Sequence, residues 1–410
     1  MDDKMLKQYG EMAVKVGVNI QKGQTLIINA PISAEDLVHH CAIAAYEAGA
    51  KEVVVHYSDE KLSRIKMDKT SKEVLCDVKP WMQNSYLEYI KSEGSAAILS
   101  ISGSDPEIYS GLDMDKVNSA NIARMNAMSE YKDYTMASRI QWCVIAVPTL
   151  GWAKKVFPKL PDEQAMEKLW QTIFKVSRAQ GDGVKNWRDY AKLQGERRDK
   201  INSLHLTQVH LKSKNGTDLT VGLAEDCLWG GVSEESEKGV SFIPNMPTEE
   251  IFTAPHKDRV DGVVYGTKPY VYNGEIIDGF MLKMEKGKVV QYEAKVGKEL
   301  LGQLLRTDEG ACHIGEIALV PSSSPINKEN VLFYNTLFDE NAACHIAFGQ
   351  GYPGTVEAGN SMSTEELLSK GVNDSVIHED VMVGSEDMCV TGLTKDGITV
   401  EIFKDGEWVF

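Results

Sequence analysis

Between residues 337 and 352 the chain reads LFDENAACHIAFGQGY, which sets Asp339, Glu340, Cys344, His345 and Tyr352 among apolar residues. The whole chain has nine histidines, so one placed five positions after an acid pair calls for an explanation. Three more segments beyond residue 240 carry hard-ligand side chains in similar surroundings. NMPTEEIFTAP (245–255) holds Glu249 and Glu250 between prolines, and HIGEIALVP (313–321) puts Glu316 at the entrance to an apolar run. NDSVIHEDVMVG (373–384) supplies His378 and Asp380, whose spacing of two places both on one face of an extended segment.

Each residue alone has an ordinary explanation: a solvated turn, a strand-end acid, a satisfied core histidine, a tyrosine capping the core with its hydroxyl. Taken together, Glu250, Glu316, Glu340, His345, His378 and Asp380 offer four carboxylates and two imidazoles. That mixture suits two divalent ions sharing bridging carboxylates. A lone structural zinc closes with four ligands, commonly including thiolates, and needs fewer acids.

Other signals fail on inspection. No G-x-S-x-G occurs, which excludes the usual serine-hydrolase elbow. HEDVM (378–382) begins like H-E-x-x-H but ends in Met382. GQGYPG (349–354) matches G-x-G-x-x-G, yet GYPGTVEAGNS follows it, too rich in glycine and proline to open the helix that dinucleotide binding needs. The seven cysteines are scattered and never form C-x-x-C, so neither a disulfide framework nor a thiolate zinc site is expected.

The elements that must hold these residues are legible in the hydropathy pattern. QTLIINA (24–30), KEVVVHY (51–57), AAILSI (96–101) and WCVIAVPT (142–149) are unbroken apolar runs separated by helical patterns, which implies a mostly parallel sheet covered on both faces. SAEDLVHHCAIAAYEAGA (33–50) reads as one of those helices, with Ser33 as its N-cap and Gly49 near its end. After the polar helical stretch 184–202 the pattern alternates. Hairpins are expected at Asn215-Gly216 and Lys286-Gly287, a short helix near 297–306, and further turns at Asp-Gly pairs in the tail. The reading is an α/β domain over 1–203 and a β-rich α+β domain over 204–410 that carries the metal residues.

Charge is distributed unevenly. Residues 1–205 carry 28 basic against 27 acidic side chains, whereas 206–410 carry 16 against 33. The formal charge of −16 therefore resides in the second half, which disfavours nucleic acid as a partner and suits cations. No apolar run reaches the length of a membrane span and the start lacks a signal-peptide pattern, so a cytoplasmic location without membrane association is expected.

Four blocks, NMPTEEIFTAPHKDRVDGVV, DEGACHIGEIALVP, NTLFDENAACHIAFGQGY and NDSVIHEDVMVGSEDM, resemble in order and spacing the metalloaminopeptidases of the aminopeptidase T, aminopeptidase S and aminopeptidase II type. The resemblance covers essentially the whole chain. It implies an N-terminal α/β domain, a β-rich C-terminal domain, a homodimer, and peptide substrates with a free N-terminus. It also implies two divalent ions (zinc, cobalt, manganese or magnesium) held by Glu250, Glu316, Glu340, His345, His378 and Asp380. Tyr352 would lie in the active site, and Val381 stands where the family more often has phenylalanine. Two such ions can activate water, polarise the first peptide carbonyl and offer the α-amine a site. Glu316 or Asp380 is expected to bridge them, Tyr352 to donate toward the developing oxyanion, and Glu249 is one candidate base.

Two rival classes make different predictions. A nucleotide-dependent enzyme with its site in the N-terminal domain would be stabilised by nucleotide, though no phosphate loop supports it. A non-catalytic protein held together by metal would unfold on chelation, whereas a catalytic pair would lose turnover with its fold largely kept.

Overall fold

The computed structural model describes residues 2–272 and 275–410. The chain divides into two compact units, Met1–Ala191 with Ser233–Pro247, and Lys192–Val232 with Thr248–Phe410. The 203/204 boundary expected from the sequence falls just past the end of the long helix Gly183–Asn202, within which this division lies.

The first unit is built on a parallel sheet of β1 (Thr25–Pro31), β2 (Glu52–Ser58), β3 (Ala96–Ser102) and β4 (Trp142–Ala146), in the order β2-β1-β3-β4. Leu26, Ile27 and Ile28 are consecutive and all buried, as a strand covered on both faces requires. Helix α1 (Glu35–Glu47) follows β1. Ser33 is not its cap: it lies in a 3-10 turn over Ile32–Ala34, and Ala34 takes the N-cap position without a side-chain hydrogen bond. The acids Glu35 and Asp36 then supply the favourable charge at that end. Gly49 adopts φ +93° and turns the chain out of the helix, as expected. Helix α2 (Asp162–Val176) buries Ala165, Leu169, Thr172, Ile173 and Val176, a stripe at helical spacing.

The second unit is strand-rich and antiparallel. Its larger sheet holds β5 (Leu206–Lys212), β6 (Asp218–Leu223), β8 (Pro255–Tyr265), β9 (Met281–Glu285), β10 (Lys288–Glu293), β14 (Cys389–Thr394), β15 (Thr399–Lys404) and β16 (Glu407–Trp408). The order is β10-β9-β8-β6-β5-β14-β15-β16. The hairpins turn where the sequence placed them, with Gly216 at φ +108° and Lys286-Gly287 both at positive φ. The short helix runs over Lys298–Leu304. The second sheet is smaller, with β7 (Ile251–Thr253), β11 (Ile314–Leu319), β12 (His345–Gly349) and β13 (His378–Met382) in the order β13-β12-β11-β7. One face joins the apolar core through Ile317, Leu319, Ile346, Phe348 and Val381. The other face carries the residues singled out for chemistry.

Candidate metal centre

Strand register brings those residues together. Glu316 on β11 pairs with Ala347 on β12, which pairs in turn with Asp380 on β13. Residues opposite one another in a ladder point to the same side. Ala347, the small middle residue of this row, therefore leaves room above it for the two carboxylates to lean together. In the neighbouring rows His345 stands between Ala318 and Met382, and His378 stands opposite Gly349. Ala318, Ala347 and Gly349 thus form a shallow floor ringed by acids and imidazoles. Gly349 has φ +92°, and a Cβ there would fall 2.2 Å from the Ile377 carbonyl oxygen, so the floor can be closed at that end only by glycine. That explains the GQGYPG glycine without any phosphate. Glu250 immediately precedes β7 and reaches the same face.

The distances define two overlapping groups. Nε2 of His345 lies 3.0 Å from Glu250 Oε2, 3.5 Å from Glu316 Oε1 and 3.9 Å from Asp380 Oδ1. Nε2 of His378 lies 3.8 Å from Glu316 Oε2 and 3.5 Å from Asp380 Oδ1. Glu250, Glu316 and His345 form one trio whose donor atoms all lie within 4.8 Å of one another, and Glu316, His378 and Asp380 form a second. Glu316 belongs to both and turns a different oxygen toward each histidine.

Both imidazoles are fixed by backbone carbonyls. His345 Nδ1 is 3.2 Å from the Ala343 oxygen, and His378 Nδ1 is 2.7 Å from the Gln350 oxygen. A carbonyl only accepts, so each Nδ1 carries the proton and each Nε2 faces the acids. This is the orientation a metal-binding histidine takes, with its second nitrogen held by an outer partner.

Electrostatics show what the cluster lacks. Glu316 is 4% exposed and His345 1% exposed. Burial pushes the Glu316 carboxyl up to about 7, against the hydrogen bond with His345, and the Glu250 charge adds to the rise. Burial opposes protonation of His345, but the hydrogen bonds with Glu250 and Glu316 overcome it and hold the ring well above its ordinary value. In His378 burial is likewise outweighed, chiefly by the Asp380 charge, and the ring rises to about 10. Burial alone would raise Asp380, yet the nearby His378 charge brings it below the usual carboxylate value. Asp380 Oδ1 is nonetheless buried with no hydrogen-bond partner. No lysine or arginine forms an ion pair with any of these acids among the described residues. Without a cation the cluster accommodates its buried acids only by taking up protons, on Glu316 and on both imidazoles, and divalent cations would replace those protons. Donors about 2.1 Å from an ion in a tetrahedral array lie ~3.4 Å apart, and the observed 3.0–3.9 Å separations bracket that spacing. The donor set fits metal.

Glu340 and Tyr352 stand beside the two trios. Glu340 opens a 3-10 turn after the short helix Thr336–Asp339, and its Oε1 accepts from Asn341 Nδ2 at 3.3 Å. Burial, with the charges of Asp380 and Glu250, drives its carboxyl far above the ordinary value. It belongs to neither trio. The Tyr352 ring centre is 4.8 Å from that of His378, and burial plus the Glu316 and Asp380 charges keep its hydroxyl protonated. Asp339, next to Glu340, points elsewhere: it accepts the backbone N–H groups of Phe333 at 2.8 Å and Asn335 at 3.0 Å. Glu249 is buried, and its backbone N–H donates to Asn341 Oδ1 at 2.6 Å. Asn341 was not singled out from the sequence, yet its amide ties the 248–250 segment to Glu340 and is fully buried. Its one signal is a polar amide inside an otherwise apolar run. Val381 lies on the core face, so its departure from phenylalanine concerns packing rather than ligation.

An α/β unit followed by a β-rich unit whose buried face gathers acids and imidazoles defines a metal-dependent enzyme. Comparison with known proteins narrows that class. The family model described as thermophilic metalloprotease (M29) matches residues 2–408. Aminopeptidase 2 of Geobacillus stearothermophilus is 45% identical over 409 residues, spanning 100% of this chain and 98% of the relative. Aminopeptidase AmpS of Bacillus subtilis is 40% identical, spanning 99% and 98%. The solved structure of wild-type AmpT from Thermus thermophilus superposes with a TM-score of 0.92 at 38% identity, covering 99% of both chains. The chain belongs to the thermophilic metalloprotease family M29. Neither the nucleotide-dependent class nor the non-catalytic metal-stabilised class is favoured by these relatives. No described helix is long and apolar enough to cross a membrane.

Proposed function

We propose that this metalloprotease is an aminopeptidase that removes N-terminal residues from peptides through a centre of two divalent ions. The relatives' names support the exopeptidase reading. The observation that carries the two-ion reading is Glu316, whose two oxygens face two different histidines at 3.5 and 3.8 Å. Glu250 and His345 would complete one ion's ligands, His378 and Asp380 the other's. Glu340, with one oxygen engaged by Asn341, has its second oxygen for the same centre. When bound, such ions supply Lewis acidity toward the scissile carbonyl and a nucleophile at neutral pH.

The chain's own residues do the rest. The carbonyls of Ala343 and Gln350 hold both imidazoles in the tautomer whose Nε2 faces the centre. Tyr352 keeps its proton and is placed to donate it as a hydrogen bond to negative charge developing on the carbonyl oxygen. Burial of Glu316 and His345 excludes bulk water and strengthens each of these interactions. The reading includes the homodimeric, cytoplasmic state implied by the family resemblance. Hydrolysis of an aminoacyl anilide before and after EDTA, with each metal restored in turn, tests it alongside elemental analysis. Two ions per chain and restored turnover are expected. Equal cleavage of an N-acetylated anilide would reject an exopeptidase that needs the free amine.

A further inference from the structure

Beside the ligands the second unit encloses a cavity of about 250 Å³ that opens onto His378 and Asp380. At about 30 Å³ per water molecule it has room for roughly eight waters, ample for one long side chain. Its walls include Tyr270, Tyr334, Met382 and Glu379. Strand alternation turns Glu379 away from the face of β13 that bears His378 and Asp380. Because β13 is an edge strand, Glu379 still borders the cavity that runs past that edge.

The Glu379 side chain has no hydrogen bond or ion pair among the described residues, although it is only partly exposed. Burial and the neighbouring Asp380 charge raise this carboxyl to about 7, and a cation entering the cavity would hold it ionised. Tyr270 is 4% exposed, and its buried hydroxyl has no hydrogen-bond partner. The Tyr334 wall is set rigidly. Its backbone sits at φ +57°, an uncommon value for a tyrosine, and Asp339 holds the loop there by accepting the N–H groups on either side. Tyrosine rings and a carboxylate around a narrow cavity favour a long side chain ending in a cation over an anionic one.

We propose that this cavity receives the side chain of the substrate's N-terminal residue and that Glu379 makes it select lysine and arginine. The proposal rests on the aminopeptidase reading of the adjoining centre. Metal-loaded protein should hydrolyse lysyl and arginyl p-nitroanilides more efficiently than leucyl p-nitroanilide, and glutamyl p-nitroanilide least. In Glu379→Gln, kcat/KM for the two basic substrates should fall roughly tenfold to a hundredfold, the loss of one charge-assisted contact, while the leucyl value changes far less. Metal content and Tm of the variant are measured in parallel. A second measurement uses the unaltered protein: lysinamide and argininamide should inhibit leucyl anilide hydrolysis at roughly tenfold lower concentration than leucinamide. A uniform loss on all substrates, an unchanged lysyl-to-leucyl ratio, or leucinamide as the stronger inhibitor would overturn the assignment while leaving the aminopeptidase reading intact. No cleavage of any anilide by metal-loaded wild type would sink both.

Discussion

Exchanging Glu316 for glutamine removes the shared carboxylate with little change of shape. Its donor atoms lie within 4.8 Å of those of Glu250 in one trio and of Asp380 in the other. At that distance and an effective dielectric of about 20, each like-charge pair costs ~3 kcal/mol in the metal-free protein. The dependence on pH follows from proton binding. Glu316 is raised to about 7, above the ~4.3 of an unfolded glutamate, so the folded chain binds more protons between those values. Stability of the metal-free protein therefore falls as pH rises from about 4.3, and this loss is complete above about pH 7. His345 and His378 act in the same direction. Their stabilisation is full below the unfolded value of about 6.5 and is lost as pH climbs through their raised folded values, about 10 for His378. Glu316→Gln removes the carboxylate contribution alone. The metal-free variant should be roughly 2–3 kcal/mol more stable than metal-free wild type at pH 8, with the gap closing toward pH 5. Adding divalent ions should reverse the order, because ligand binding to the native state stabilises wild type more. Turnover should fall roughly 10²–10⁴-fold, the equivalent of several kcal/mol of lost charge stabilisation. Urea titrations at both pH values with and without EDTA, elemental analysis and anilide hydrolysis read these effects. Full metal content with full turnover, or a metal-free variant less stable than wild type at pH 8, would refute the reasoning.

Four further outcomes are expected. His378→Ala removes a member of the second trio only, so elemental analysis should find about one ion per chain instead of two. Tyr352→Phe should keep both ions and lower kcat roughly a hundredfold, with KM nearly unchanged, since the hydroxyl acts on charge that develops during reaction. EDTA should abolish turnover while far-UV circular dichroism stays near that of the loaded protein, because the sheet's core face is apolar and independent of the ions. Asp339→Ala leaves the Phe333 and Asn335 N–H groups without their acceptor, and urea titration should show a loss of about 2 kcal/mol or more.

Much of the centre was legible in one dimension. His378 and Asp380 share a face because strand period is two, and His345 begins a strand whose alternate residues are small while the intervening Ile346 and Phe348 are core. The Lys-Gly turn appears because positive φ at both residues is a local requirement of a two-residue hairpin, and the longer Asn-Gly turn because its Gly216 alone takes positive φ. The Ser33 cap failed because a 3-10 turn intervened and moved the helix start by one residue, a choice local pattern cannot arbitrate.

By itself, the sequence determined which side chains were available, that four segments after residue 240 set acids and histidines among apolar residues, and that a parallel α/β region preceded a β-rich one. Only the tertiary structure decided that Glu316 serves two histidines at once, that Glu340 turns toward the acids while Asp339 turns to the Phe333 loop, and that Asn341 ties Glu340 to the 248–250 segment. The reason is physical: periodicity fixes the face of a strand, but donor atoms 3–4 Å apart on three strands and the residue before a fourth are set by ladder register, by a bulge beside Glu316 and by small residues that leave space between them.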